Sequence, residues 1–165
     1  AVGPLESLPG HGKTPGRGRN MTMVSVTPEN LPAAAAVYRE SWQESHRSVC
    51  TREFLESRDC AGYLRRGLEQ GKQFYLLLDP EPVGVVSVAG REIGDLYVLP
   101  DRQGCGYGTR LLQFAMARTA CPYLTVLSTN RRAIALYRRL GFTVCRRKQM
   151  LREGLWELEL HFGEE

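Results

Sequence analysis

The 165-residue chain lacks any apolar run near the ~20 residues a membrane-spanning helix requires, which excludes a helical membrane protein. Its five cysteines (Cys50, Cys60, Cys105, Cys121 and Cys145) are odd in number and include no Cys-x-x-Cys pair. Neither a zinc site nor a dithiol centre is indicated, no metal is expected, and free thiols in a reducing cytoplasm are the default. Strong charge of either sign is also missing. The 22 Lys and Arg against 18 Asp and Glu leave +4, too mild for a nucleic-acid binder and compatible with a site for an anionic small molecule. No internal repeat is present. With 42% hydrophobic and 24% charged residues, the composition is that of an ordinary globular chain. Its length suits one domain with a real core.

The first twenty residues stand apart, with five glycines, three prolines and no periodicity. We read 1–20 as a flexible arm, either an upstream extension or an expression remnant, since Met21 and Met23 follow it. It has no apolar segment of the kind a secretory signal needs. Its "GHGKT" is not a triphosphate-binding loop, because Ser7 stands where that motif wants glycine and no strand precedes it. Residues 21–165 are expected to form a single domain.

Along that domain, "MVSVT" (23–27) alternates as a half-buried strand does. Thr27-Pro28-Glu29 then predicts a helix start, with the helix running to about Gln43. A second helix is expected from near Thr51, with Gly62 and Gly67 as possible breaks. Residues 73–78, 83–89 and 91–98 read as strands, the first two joined by the turn "DPEP". A helix opens around Gly106, a strand follows at 123–128, and a helix at 130–140 places Ala133, Leu136, Tyr137 and Leu140 on one face. Four arginines (131, 132, 138 and 139) take its other face, and "FTVCRRK" and "LWELEL" are the last strands. This order implies an α/β (α+β) fold: a mixed, mostly antiparallel sheet of about seven strands flanked by about four helices.

The most informative stretch is "LYVLPDRQGCGYGTRLL" (96–112), with glycines at 104, 106 and 108. A strand, a proline-ended turn and a glycine-rich helix N-terminus make an anion site of unpaired N–H groups, with Arg102 and Arg110 nearby. The dinucleotide fingerprint fails, since Thr109 occupies the third glycine position and Thr125 stands where a ribose-binding acid is needed. No Gly-Lys-Thr/Ser follows, so the triphosphate loop fails as well.

Two motifs narrow the reading. Leu96 to Pro100 followed by Gln103-Gly104-Cys105-Gly106-Tyr107-Gly108 resembles the acetyl-CoA motif Gln/Arg-x-x-Gly-x-Gly/Ala of the GNAT N-acetyltransferase superfamily. Downstream, Asn130, Ala133 and Tyr137, then Gly141-Phe142, resemble that family's Asn-x-x-Ala-x-x-x-Tyr followed by "GF". The resemblance covers most of residues 22–161. It implies that the Tyr97 and Val98 backbone meets the pantetheine arm where two strands splay. It also implies that Gln103, Gly104, Cys105, Gly106, Tyr107, Gly108 and Thr109 cradle the pyrophosphate, with Asn130 beyond, and that acetyl-CoA is the co-substrate.

Acetyl transfer to an amine needs a neutral amine, a donor for the carbonyl oxygen's developing charge and a proton for the leaving thiolate. The family resemblance makes Tyr137 the thiolate acid, although a core tyrosine would occupy the same apolar stripe. For the base, Glu92 matches a position where some relatives carry a glutamate, with Asp95 or ordered water as alternatives. Their odd spacing on a strand predicts opposite faces for Glu92 and Asp95. Trp42, Glu44, His46 and Trp156 are candidates for the acceptor pocket. Cys105 carries no nucleophile signature.

The expected activity is transfer of an acetyl group from acetyl-CoA to a primary amine of a small molecule or protein. Neither nucleic acid nor membrane is an expected partner, and a homodimer through free edge strands is compatible with the fold. No acid stands at Thr125, where ribosomal-protein N-terminal acetyltransferases of the family carry one. The alternative is a non-catalytic acyl-CoA-binding or regulatory module on the same fold.

Overall fold

The computed structural model describes residues 21–150 and 154–163, so the arm at 1–20 lies outside the described residues. The strands are β1 (Thr22–Ser25), β2 (Gln73–Leu78), β3 (Pro82–Ala89), β4 (Glu92–Val98), β5 (Tyr123–Leu127), β6 (Phe142–Gln149) and β7 (Trp156–Phe162). The helices are α1 (Leu31–His46), α2 (Arg52–Ser57), α3 (Cys60–Glu69), α4 (Tyr107–Met116) and α5 (Arg131–Arg139). The seven strands lie in the order β1-β2-β3-β4-β5-β7-β6. Every neighbouring pair is antiparallel except β4 and β5, which gives the expected mixed sheet.

Five helices flank it, because the expected second helix divides in two. Thr51 caps α2 by accepting from the Phe54 N–H, and Asp59 starts a new helix by accepting from Gly62 N–H at 2.9 Å. Gly62 and Gly67 sit inside α3 and do not break it. A Cβ on Gly67 would come within 2.7 Å of the Phe74 ring, so this glycine lets α3 lie close on the sheet. The start of α1 also shifts, from the expected Thr27 to Leu31. The Asn30 side chain accepts from Thr27 N–H at 2.8 Å and donates to Ser25 C=O at 2.9 Å, tying residues 27–30 into a turn before the helix begins.

Two hydrophobic clusters hold the sheet from opposite faces. One joins α4 and Tyr137 of α5 to residues of both halves of the sheet, including Val86, Ile93, Leu124, Phe142 and Leu160. The other joins α1, α2 and α3 to Phe74, Leu76 and Val85, and takes no residue from β5, β6 or β7. Each fully buried Leu or Phe in these clusters contributes ~1.5–3 kcal/mol. Among the described residues no helix covers the face of β5 and β7 beyond α1 and α3, and Thr125 is exposed there.

Two irregularities in β4 shape the site. Its register with β3 runs from Val85↔Tyr97 to Ser87↔Gly94, so three steps along β4 span two on β3. This is a bulge, with Asp95 in the left-handed region at φ 43°, a conformation Asp tolerates better than most residues. Towards β5, a single bridge pair, Glu92↔Tyr123, joins the strands. Past it, the β4 backbone groups on that edge have no ladder partner among the described residues.

Candidate active site

Beyond the unpaired edge of β4, Pro100–Arg102 form a single 3-10 turn and the chain enters α4 through Gly104 (φ 79°) and Gly106 (φ 85°). Gly106 is the N-cap residue and offers no side-chain cap, so the first N–H groups of α4 stay available to an anion. Tyr107 opens the helix, yet its side chain points away from the loop. It is 2% exposed, and its hydroxyl donates to the buried Asp79 carboxylate at 2.5 Å. Tyr107 thus anchors the loop to the β2–β3 turn and can offer a ligand only its backbone. A Cβ on Gly108 would stand 3.2 Å from Leu136 Cδ2 and 4.0 Å from Val98 Cγ2, so its glycine lets α4, α5 and β4 converge.

The convergence leaves a cleft of about 510 Å³ lined by Tyr97, Val98, Gln103, Gly104, Gly106, Tyr107, Gly108, Thr109 and Asn130, among others. The structure therefore brings together every expected cofactor residue except Cys105, whose half-buried thiol lies 3.9 Å from the Gln103 carbonyl. The Gln103 amide donates to Val98 C=O at 3.3 Å. Asn130 has a local role as well, capping α5 by accepting from Ala133 N–H at 3.2 Å.

Two arginines expected on the far side of α5 also line the cleft. Arg132 donates to Gln103 Oε1 at 2.6 Å and Arg139 to Thr109 Oγ1 at 3.3 Å. Their seven-residue spacing, two helical turns, was the signal that could have found them. With Arg102 they oppose one acidic lining residue, Glu44, which pairs with Arg47 at 2.8 Å. The cleft is thus built for an anion. An ADP-type pyrophosphate on an uncharged arm fits it: N–H groups and arginines lie at one end, and the unpaired β4 edge continues from them.

Tyr137 is 5% exposed and lies on the inner stripe of α5, its ring 6.3 Å from Phe142. Its hydroxyl makes no hydrogen bond among the described residues, and burial pushes its pKa well above the ordinary tyrosine value. It therefore keeps its proton throughout the neutral range.

The bulge corrects the expectation for Glu92 and Asp95. They do not lie on opposite faces. Glu92 pairs with Ala89 and Gly94 with Ser87, on the face that α1 and α3 cover, and the left-handed turn at Asp95 brings its carboxylate there too. Asp95 accepts from Tyr63 at 2.8 Å, Ser87 at 2.8 Å and Lys72 at 2.9 Å. With these bonds it fixes the bulge. Glu92 carries a single long contact, from the Tyr123 hydroxyl at 3.3 Å, and faces the space left open by Gly94.

The acceptor-pocket candidates separate. Trp42 is buried in the α1 cluster, with His46 stacked on it at 4.6 Å. Glu44 lines the cleft, and Trp156 is exposed at the start of β7.

The arrangement is that of the N-acetyltransferase fold. The chain belongs to the acetyltransferase (GNAT) family, whose model matches residues 31–142. It is 30% identical over 70 residues to the peptidyl-lysine N-acetyltransferase YjaB of Escherichia coli K12, covering 42% of this chain and 48% of that protein. The match thus spans about half the length of that relative. The apo-form solution structure of E. coli YjaB superposes with a TM-score of 0.69 at 21% identity, covering 88% of this chain and 99% of that one. The PaiA N-acetyltransferase of Thermoplasma acidophilum, solved with coenzyme A, superposes with a TM-score of 0.64 at 18% identity over 84% and 97% of the two chains. At these identities the likeness speaks for the fold.

Proposed function

We propose that the protein transfers an acetyl group from acetyl-CoA to a primary amine of a small molecule or a protein, in the cytoplasm, through one domain spanning residues 21–165. The observation that carries this reading is continuity. The arginine-rimmed start of α4 adjoins the unpaired edge of β4 in one cleft, and Tyr137 and Glu92, which do not line that cleft, are assigned their roles from the family motif.

The thioester supplies an activated acyl group. The N–H groups at Gly106–Gly108, with Arg132 and Arg139, hold the phosphates, and the backbone of Tyr97 and Val98 orients the arm. The Tyr137 hydroxyl holds the proton that the leaving sulfur takes up. An alkyl ammonium has a pKa of about 10.4 and must lose a proton before attack. Glu92, beside the helix-free face of β5 and β7, accepts it directly or through water. That YjaB carries the name of a peptidyl-lysine N-acetyltransferase supports an amine acceptor. A non-catalytic acyl-CoA module has no use for Tyr137.

The test is isothermal titration of acetyl-CoA, with CoA, ATP and NAD as controls, followed by thiol-release assays over an amine panel. Micromolar acetyl-CoA binding with turnover is expected. Tyr137→Phe should keep that affinity and lower kcat by ~10²–10⁴-fold. ATP or NAD binding without CoA binding would overturn the assignment.

A further inference from the structure

Helix α5 lies beside the glycine loop and the first turn of α4, in step with them. Arg132 donates to Gln103 Oε1 at 2.6 Å, and a Cβ on Gly104 would stand 3.5 Å from its Nη2. Leu136 meets Gly108, and Arg139 donates to Thr109 Oγ1 at 3.3 Å. Along α5 the two arginines are two turns, ~10.5 Å, apart. The loop thus has a guanidinium at each end. Arg132 stands where the Gln103 amide donates to the Val98 carbonyl. Arg139 stands at the third residue of α4, past the N–H groups of Gly106–Gly108.

Both guanidiniums, with that of Arg102, line the cleft, and among the described residues none of the three pairs with a carboxylate. Four arginines and no acid occur in the nine residues of α5. The one acid that lines the cleft, Glu44, is taken by Arg47. A pyrophosphate joining two esters carries one charge on each phosphate, and the two share an oxygen, so it is a compact dianion. The N–H groups that open α4 and the arginine beside Gln103 meet that charge. Placed there, it leaves the guanidinium at Thr109 without a counter-charge. The order of the ligand says what supplies one. Its uncharged arm lies at Tyr97 and Val98, the pyrophosphate comes next, and beyond it comes the nucleoside, whose ribose in coenzyme A bears a 3′-phosphate.

Resting on the acetyltransferase reading, we infer that Arg139 receives this 3′-phosphate and that the protein selects CoA over 3′-dephospho-CoA. A phosphate monoester carries nearly two charges at neutral pH, and the guanidinium fork meets two of its oxygens. The bond from Arg139 to Thr109 is long and ends on a neutral oxygen, a contact that a phosphate displaces. Arg139 is exposed at the rim of the cleft, with Arg138 beside it in the chain. It also stands in the last turn of α5, where the helix dipole favours a cation, so binding and not stability reads its role.

Isothermal titration of CoA and of 3′-dephospho-CoA into the full chain tests the assignment. CoA is expected to bind at least ~5-fold more tightly, with the ratio falling as salt is added. Arg139→Met should bring the ratio close to one by weakening CoA. Arg132→Met should weaken both ligands and keep the ratio. Arg139→Lys, which keeps the charge and loses the fork, should retain part of the preference and serves if the Met variant does not fold. Equal binding of the two cofactors, a ratio that survives Arg139→Met, or one that disappears in Arg132→Met overturns the inference and leaves the acetyltransferase reading standing. Binding of neither cofactor overturns both.

Discussion

Replacing Tyr107 with Phe removes one oxygen from the interior, and its consequences can be worked through. The hydroxyl and the Asp79 carboxylate meet at 2.5 Å, in residues 2% and 6% exposed, and no water can take the place of the lost donor without opening the core. A hydrogen bond to a charged group contributes ~1.5–3 kcal/mol, and an orphaned buried acceptor adds its desolvation cost. A loss of ~2–3 kcal/mol is expected, or a fall of roughly 4–12 °C in Tm for a domain of this size. Urea and thermal melts followed by circular dichroism measure it. A double variant separates the bond from simple packing. Asp79→Asn should relieve part of the Tyr107→Phe defect, because an unpaired amide costs less to bury than an unpaired carboxylate. As Tyr107 is the first residue of α4, the KM for acetyl-CoA should rise while the KM for acetyl-pantetheine, which has no pyrophosphate, stays put. A melt within ~0.5 kcal/mol of the parent, or additive losses in the double variant, would refute the anchoring role.

Asp95→Ala strips three hydrogen bonds from a residue at φ 43° and should cost ~3 kcal/mol in urea unfolding. Asp95→Asn should cost less than half as much, because Asn tolerates that conformation and keeps the Tyr63 and Ser87 bonds; equal losses would count against the bulge argument. Replacing both Arg132 and Arg139 with Ala should weaken acetyl-CoA binding by ~5–20-fold and flatten its salt dependence, read by titration at two ionic strengths. Burial lowers the His46 pKa, outweighing the Trp42 carbonyl that raises it, so protonation favours the unfolded chain. Its contribution to stability is therefore level above ~6.5 and declines as pH falls below that value. His46→Gln should remove this decline from urea midpoints measured between pH 5 and 7.5, and parallel pH profiles would exclude His46 as its source.

Most strand and helix positions were legible because hydrophobic alternation and glycine or proline punctuation are local signals. The late start of α1 was not, because Asn30 ties a turn to Ser25, a contact that no propensity anticipates. The split between α2 and α3 was readable in principle, with Asp59 standing three residues before Gly62 as a cap does. The glycine-rich loop before α4 and Tyr137 stand out in the sequence as motifs. The relation of Glu92 to Asp95 was misread because alternation counts residues and a bulge inserts one, and a bulge is stabilised by distant partners such as Lys72 and Tyr63. Arg132 and Arg139 read from the sequence only as the face of α5 opposite its apolar stripe, because helical spacing says which residues share a side, not what that side meets.

The lone bridge between β4 and β5 means that the two halves of the sheet are joined by a seam of side chains, not by a backbone ladder. Ile93 and Val86 lie on one side of that seam and Leu124 and Leu160 on the other, with α4 bedded across both. The width of the cofactor slot is thus set from beneath, by how those side chains fill their space. A cavity cut at Leu160, on a strand that touches no cofactor residue, would be felt as a change in the grip on acetyl-CoA.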